Sequence, residues 1–183
     1  FTTIISLEGA SGGGDGVAVT TTNVFKTVTS ITPGSSVGTG AVYVGHVASS
    51  FGANSALSSS TVTVGSGNGT LTSVAANLNN ISGVSASILN KGEGVFSLVV
   101  RTETGVNNAI KITVSENSGY PGLSMFDTNS DNSTHQTTAA TDASLNVDGV
   151  TIKRGSNTID DLFDGFTMIL TETTSSSFRV SSS

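Results

Sequence analysis

The fold is decided by residues 69–114, GTLTSVAANLNNISGVSASILNKGEGVFSLVVRTETGVNNAIKITV. Near the start of this stretch, apolar residues recur at spacings of three and four, which is the stripe of an amphipathic helix. The stripe consists of Leu71, Val74, Ala75, Leu78 and Ile81. Thr70 stands where an N-cap hydroxyl accepts a hydrogen bond from the first turn, and Gly83 follows as a stop signal. The spacing predicts a helix over 71–81.

The rest of the stretch alternates apolar and polar residues, which is typical of strands with one buried face. It predicts strands at 84–89, 95–101 and 109–114, with a turn over 90–94. We expect the helix to pack its apolar stripe on a sheet built partly from these strands.

Further strands are predicted outward from this stretch, because Val and Thr are abundant and alternate with polar residues. They lie at 1–10, 16–31, 41–47, 61–65, 166–172 and 178–180. Residues 143–154 predict a hairpin, since Asp148-Gly149 is a favoured two-residue turn. Thr158 and Asp161 have capping-box spacing, which predicts a short helix that ends at Gly165.

The composition excludes several classes of protein. The 183 residues carry 11% charged side chains, a net charge of −6 and no basic run, which argues against a nucleic-acid surface and a coiled coil. No apolar stretch approaches the length of a membrane span. The absence of Cys excludes disulfides, iron–sulfur clusters and thiolate zinc sites.

The predicted fold class is mainly β, a β-rich α+β fold with one or two short helices. Because only 36% of the residues are hydrophobic, thin sandwiches fit better than one thick core. We expect two small antiparallel β domains, one inserted in the other. Residues 1–57 and 142–183 would form a base domain, and 58–141, with helix 71–81, would form the inserted outer domain. Polar stretches near 51–60 and 127–141 mark the expected boundaries.

Histidines and a glycine-rich run give little support for catalysis or metal binding. His46 and His135 lack a third ligand at zinc spacing. The run GASGGGDG, 9–16, lacks the Gly-Lys-Ser/Thr of a phosphate loop. Both observations favour structural roles.

Two acidic clusters have structural interpretations as well. Asp127, Asn129 and Asp131 occupy positions one, three and five of a calcium loop, but Asn132 replaces the required Gly and Thr138 replaces the bidentate Glu. An Asx-rich turn is the favoured interpretation.

The second cluster comprises Asp160, Asp161 and Asp164, with Asp148 nearby in the sequence. Two of these would open the predicted short helix, where the macrodipole favours negative charge. We therefore predict no catalytic, cofactor-binding or metal-binding residue and no enzymatic activity.

Two stretches resemble the flagellar hook-associated protein 2 family, whose members form filament caps. Residues 69–114 resemble its flagellin hook motif, with a helix that opens on Thr-Leu, an Asn near its end, Gly-Val-x-Ala-Ser and Thr-Gly-x-x-Asn-Ala-Ile. Residues 143–170 resemble a family stretch with a Val-Asp-Gly-Val hairpin, Ser-Asn-Thr and Gly-Val-Thr-Leu-x-Leu, in which Phe166 and Met168 replace the usual Val and Leu.

The resemblance implies a non-enzymatic structural protein at the tip of the bacterial flagellum, outside the cell. It implies the outer domains of the cap, which assists flagellin assembly and serves motility. The partners it implies are flagellin and further copies of the protein, which form a ring through flanking helices that this chain lacks. Outer domains of this kind also contact surfaces and can adhere to host or environmental glycans. No cofactor, nucleic acid or membrane insertion is expected, and we expect the chain, which begins with Phe1, to be part of a longer protein.

Two alternatives remain open. The first motif also occurs in flagellin variable domains, so the chain could be an outer domain of flagellin or of a hook–filament junction protein. From another class, it could be a carbohydrate-binding adhesin module. Sugar sites usually use exposed aromatic side chains, however, and aromatic residues make up only 5% of this chain.

Overall fold

The computed structural model describes residues 4–8, 17–46, 60–128, 136–147, 149–174 and 178–181. They are mainly β-strand, as predicted, with a single α-helix in the described ranges. The elements are β1 Ile4–Glu8, β2 Thr22–Thr29, β3 Gly40–His46, β4 Ser60–Val64, α1 Leu71–Leu78, β5 Val84–Gly92, β6 Val95–Thr104, β7 Ile110–Glu116, β8 Gln136–Thr138, β9 Ala143–Val147, β10 Val150–Arg154, β11 Thr158–Phe163, β12 Phe166–Ile169 and β13 Phe178–Ser181. Short 3-10 turns lie at Val106–Asn108 and Leu123–Phe126.

The chain forms two compact units. Unit 1 comprises Phe1–Thr21, Thr104–Val106 and Ala140–Ser183, and unit 2 comprises Thr22–Glu103 and Asn107–Ala139. This division differs from the predicted partition, which assigned β2 and β3 to the base domain. In the structure β2 lies beside β6, and β3 pairs with β7 along its whole length. The polar stretch near residue 57 therefore connects two strands of one sheet, β3 and β4, and does not mark a domain boundary.

Unit 2 contains the predicted helix and its sheet. The sheets β5-β6-β2-β8 and β4-β3-β7 share one hydrophobic core with α1. The hydroxyl of Thr70 accepts from the N–H of Ser73, which confirms the predicted N-cap. The helix ends at Leu78, three residues earlier than predicted. Its stripe is buried as expected, and consists of Leu71, Val74, Ala75 and Leu78.

Unit 1 has a smaller core. It contains the four-stranded sheet β10-β9-β1-β13 and the hairpin β11–β12. The predicted hairpin over 143–154 is present as β9 and β10, with Gly149 at a positive φ of 84° in the turn. The buried residues of this core are Val17, Ala143, Leu145, Val147, Ile159, Met168 and Leu170.

The prediction of a short helix at 158–165 is wrong, because these residues form strand β11 and the following turn. Thr158 pairs with Ile169 and Ile159 with Met168, and Gly165, with φ +73°, turns the chain between the strands. Pairing buries both Ile159 and Met168. One or two isolated helical turns are marginal in water, so the burial gained by pairing outweighs the capping signal. None of the helices among the described residues is long and apolar enough to cross a membrane.

Candidate functional site

Several residues singled out in the sequence fall outside the described residues. His135, Asp148 and the glycine run 9–16 are among them. His46 is the last residue of β3 and pairs with Ile110 of β7. The histidine pair and the glycine run therefore remain sequence interpretations only.

Of the calcium-loop candidates, Asp127 and Thr138 lie in the described residues, whereas Asn129, Asp131 and Asn132 do not. The carboxylate of Asp127 accepts from the N–H of Val114 at 3.0 Å. The next residue, Thr128, is buried, and its hydroxyl accepts from the N–H of Ile112 at 2.9 Å. Its own N–H donates to the carbonyl of Ile112. Together, the two residues cover the free edge of β7.

The aspartates of β11 and of the turn after it lie at the surface. Asp160, Asp161 and Asp164 are exposed, and Asp161 binds Arg154 of β10 with 3.0 Å between Nη2 and Oδ2. Hydrogen bonds from the Arg154 guanidinium lower the pKa of Asp161. The helix-dipole explanation for this cluster is wrong, since no helix exists there. Among the described residues, no group of three or more His, Cys, Asp or Glu side chains could hold a metal ion.

Asn79 forms a hydrogen-bonded bridge between the helix and β5. Its Oδ1 accepts from the N–H of Ala86 at 2.8 Å, and its Nδ2 donates to the carbonyls of Ala86 at 2.8 Å and Ala75 at 3.1 Å. Because β5 is an edge strand, the carboxamide occupies a position that a neighbouring strand would otherwise take. The sequence signal for this role was the Asn near the end of the hook-motif helix, whose contacts the sequence did not reveal.

The side chain of Asn68 hydrogen-bonds to the backbone at the end of β4 in a similar way. Its Oδ1 accepts from the N–H of Gly65 at 2.6 Å, and its Nδ2 donates to the carbonyl of Thr63 at 2.9 Å. Both bonded groups belong to the segment that ends β4, an edge strand of its sheet.

In unit 1, Asn157 of the Ser-Asn-Thr step links two parts of the chain. Its Oδ1 accepts from the N–H of Thr20 at 2.7 Å, and its carbonyl accepts from the N–H of Leu170 at 2.8 Å. The residue thus joins the chain before β2 to the end of the β11–β12 hairpin.

A groove of about 500 Å³ runs along β4 in unit 2, and we call it the β4 groove. Its lining consists of Ser60, Thr61, Val62, Thr63, Asn68, Asn77, Asn80, Ile81 and Ser82. These side chains offer hydroxyls and carboxamides but no charge and no general base. A smaller cavity of about 270 Å³ shares Ser60, Ile81 and Ser82 and adds Glu103. The β4 groove can therefore bind a ligand through hydrogen bonds, but it lacks the groups for acid–base chemistry.

Comparisons with known proteins give consistent results. No protein-family model matches the chain. It is 37% identical over 92 residues to flagellar hook-associated protein 2 of Salmonella typhimurium, which covers 50% of this chain and 20% of that protein. It is 36% identical over 104 residues to the protein of the same name from Escherichia coli K12, which covers 55% of this chain and 22% of that protein. The chain therefore spans about a fifth of the length of these relatives.

Solved structures match over a larger part of the chain. The D2–D3 domains of the flagellar cap protein FliD from Serratia marcescens superpose with a TM-score of 0.76 at 22% identity, over 100% of this chain and 94% of that one. FliD from Pseudomonas aeruginosa gives 0.72 at 21% identity, over 100% of this chain and 80% of that one. The structural likeness establishes the fold, and the sequence matches show similarity to one part of these relatives. The chain is thus similar in sequence to part of flagellar hook-associated protein 2 and has the fold of the D2–D3 domains of flagellar cap proteins.

Proposed function

We propose that this chain forms the outer domains of a bacterial flagellar filament cap, a non-enzymatic structural protein located outside the cell at the filament tip. In this role the cap assists the assembly of flagellin and so serves motility. The observation that carries the proposal is the 37% identity to a hook-associated protein 2 over half of the chain. The alternatives of a flagellin or junction-protein outer domain are less well supported, since the full-length fold matches are to cap proteins.

The described sites support this structural role. Their carboxylates and carboxamides bind the backbone and hold sheet edges and turns together. The chain has few charged residues and many hydroxyl and carboxamide side chains. A surface of this composition makes many modest hydrogen bonds, which suits repeated and reversible contacts with incoming subunits. Self-association into a ring would come from segments of the full-length protein beyond this chain.

Surface glycans are a second class of partner, favoured by one feature of sheet β4-β3-β7. Tyr43 is 39% exposed, and it lies in register between Thr61 of β4 and Thr113 of β7. A ring flanked by two hydroxyls can stack on a sugar and bond its hydroxyl groups. Binding of the chain to a glycan array, compared with binding of Tyr43→Ala, tests this role.

Exchange of domains in a cell tests the cap function. In a Salmonella strain that lacks its own hook-associated protein 2, a chimera would carry this chain in place of the matching D2–D3 domains. We expect filaments to grow and secreted flagellin monomer to decline. The control chimera carries Leu78→Ala, which damages the core of unit 2. A chimera that is exported intact but leaves all flagellin unassembled in the medium would contradict the proposal.

A further inference from the structure

Asn68 is followed by Gly69, and the structure explains why this pair stands at the end of β4. The carboxamide of Asn68 both accepts from and donates to the backbone there, and its main-chain N–H donates to the carbonyl of Gly65 at 3.2 Å. Gly69 is buried, and a Cβ built on it would lie 2.8 Å from the carbonyl oxygen of Gly65 and 3.1 Å from that of Gly38. The close approach requires glycine at position 69, and the two side-chain bonds favour asparagine at position 68.

This is the only Asn-Gly pair of the sequence, and such a pair is chemically labile. The backbone nitrogen of the glycine can attack the side-chain carbonyl carbon of the asparagine, because no side chain on the glycine shields that nitrogen. Glycine also lets an unfolded backbone reach the geometry of attack at little steric cost. Asparagine is accordingly counted among the thermolabile residues.

We propose that Asn68 is a modification site, which converts to aspartate and isoaspartate in the unfolded chain and is protected in the folded one. In the first step the nitrogen of Gly69 bonds to Cγ of Asn68, the Cγ–Nδ2 bond breaks, and Nδ2 leaves as ammonia with the proton of the Gly69 N–H. In the second step water opens the resulting cyclic imide. Cleavage of the new Cγ–N bond gives aspartate, and cleavage of the original peptide C–N bond gives isoaspartate. Water is the co-reactant, and no atom is oxidised or reduced.

The fold restrains both reacting groups. Oδ1 of Asn68 accepts from the N–H of Gly65 at 2.6 Å, and Nδ2 donates to the carbonyl of Thr63 at 2.9 Å. Attack turns the planar carboxamide into a tetrahedral centre, which disturbs both bonds. The carbonyl of Gly69 accepts from the N–H of Val37 at 2.8 Å, which holds the attacking residue as well. Because these bonds must loosen before the ring closes, the folded chain should react at least about tenfold more slowly than the unfolded chain.

Modification before folding would weaken the end of β4. Aspartate at position 68 keeps an acceptor for the N–H of Gly65, but it places a carboxylate oxygen, which cannot donate, against the carbonyl oxygen of Thr63. Isoaspartate also inserts a methylene into the main chain beside Gly69, where the backbone is closely packed. Since neither product returns to asparagine by itself, the change marks chains that stayed unfolded.

Peptide mapping of the whole 183-residue chain by mass spectrometry tests the proposal. One sample is incubated folded and another in concentrated guanidinium chloride, at the same mildly alkaline pH and temperature. In denaturant we expect Asn68 to convert faster than every other asparagine, because each of the others precedes a residue with a side chain. In the folded sample its conversion should be at least about tenfold slower. Equal rates at Asn68 in the two samples, or no preference for Asn68 in denaturant, would overturn the proposal.

Two glycine variants separate the chemistry from the fold. In denaturant, Gly69→Ala should lower the rate at Asn68 to that of the other asparagines, because a methyl group then shields the attacking nitrogen. Gly67→Ala is the matched control, since a Cβ there meets no atom within 4 Å and the labile pair is kept. It should convert like the unchanged chain in both states. An unchanged rate for Gly69→Ala in denaturant would refute the assignment of the attacking group.

Asn68→Asp tests the consequence for stability. It should lower the urea midpoint of unit 2, because it removes the donor to Thr63. Asn90→Asp adds the same charge to unit 2 but keeps the acceptor that binds the N–H of Gly92 at 2.9 Å, so its midpoint should stay close to that of the unchanged chain. Equal midpoints for the two variants would contradict the weakening of β4.

Discussion

The side chain of Asn79 acts at β5 as a short piece of neighbouring strand, since one carboxamide both donates to and accepts from Ala86. Asn68 acts in the same way at the end of β4. Asparagine suits this position because its short side chain carries a donor and an acceptor side by side. The sequence reveals that an Asn follows the helix, but the partner of its carboxamide depends on where β5 returns.

Replacing Asn79 with Ala should destabilise unit 2. The change removes three hydrogen bonds and leaves the Ala86 backbone groups without their partner, which we expect to cost about 1–3 kcal/mol. Urea unfolding measures the loss. Asn80→Ala, at the neighbouring and equally exposed position, is the matched control and should change stability by less than about 0.5 kcal/mol. Equal midpoints for the two variants would contradict the bridging role.

Glu116 should make the turn after β7 sensitive to acid. Its Oε1 accepts from the N–H of Ser124 at 2.6 Å and of Gly122 at 2.7 Å, and these bonds lower its pKa below the ordinary 4.5. A lowered pKa means that the stabilisation is fully present above about pH 4.5 and disappears as the pH falls through the folded value. The amide resonances of Gly122 and Ser124 should titrate together in this range.

Glu116→Ala is the variant that tests this carboxylate. It should abolish the shared titration and lower stability at neutral pH, and the difference from the unchanged chain should shrink in acid. Asp164→Ala, at an exposed position in unit 1, is the control. A difference in stability between the Glu116→Ala variant and the unchanged chain that stays constant from neutral pH to pH 3 would contradict the assignment.

Among the elements, α1 and the strands after it follow from local pattern. The helix has a buried stripe of four residues and a cap. The alternation over 84–89 and 95–101 predicts the two strands, although both faces of β6 are buried from Ser97 to Val100. The segment 158–163 carries conflicting local signals. Its capping-box spacing favours a helix, while its pairing partner β12 begins beyond the next turn. The outcome depends on tertiary burial of Ile159, which is 1% exposed, and a local pattern cannot report that.

Leu78→Ala should destabilise unit 2 more strongly than a conservative change on the exposed side of α1. Leu78 is 2% exposed and belongs to the shared core of both sheets. Truncation leaves a cavity, for which we expect a loss of about 2–5 kcal/mol in the free energy of unfolding. Ala76→Ser, on the exposed side of the helix, serves as the control in the same denaturant titration. A Leu78→Ala chain as stable as the control would refute the packing.

At the scale of the whole molecule, the sequence predicts the mainly β fold class better than it predicts the division into units. Composition and alternation reveal short strands, but they do not reveal which strands pair. The pairing of β3 with β7 joins Gly40 to Glu116 across most of unit 2. No local change in composition marks such a distant partner, so a boundary placed at a polar loop misassigned two strands.

We expect this chain by itself to remain monomeric. Closed rings need the same heterologous contact repeated around an axis. Interfaces of this kind are anchored by aromatic and charged side chains, and these are scarce here, at 5% and 11%. Light scattering over a concentration series should give the mass of one chain. A stable ring at micromolar concentration would move the assembly interface into these units.

The pairing of β1 with β9 and β13 determines the order in which the two units can fold when the chain emerges amino end first. Ile4 aligns with Ser181 and Leu7 with Val147, so the sheet of unit 1 closes only when its last strand has arrived. The strands of unit 2 all lie between Thr22 and Thr138 and can assemble earlier. Closing so long a loop is entropically costly and slow. We therefore expect unit 1 to be the last part of the chain to gain protection from proteases. Unit 2 can reach its native state while β1 is still unpaired with β9 and β13.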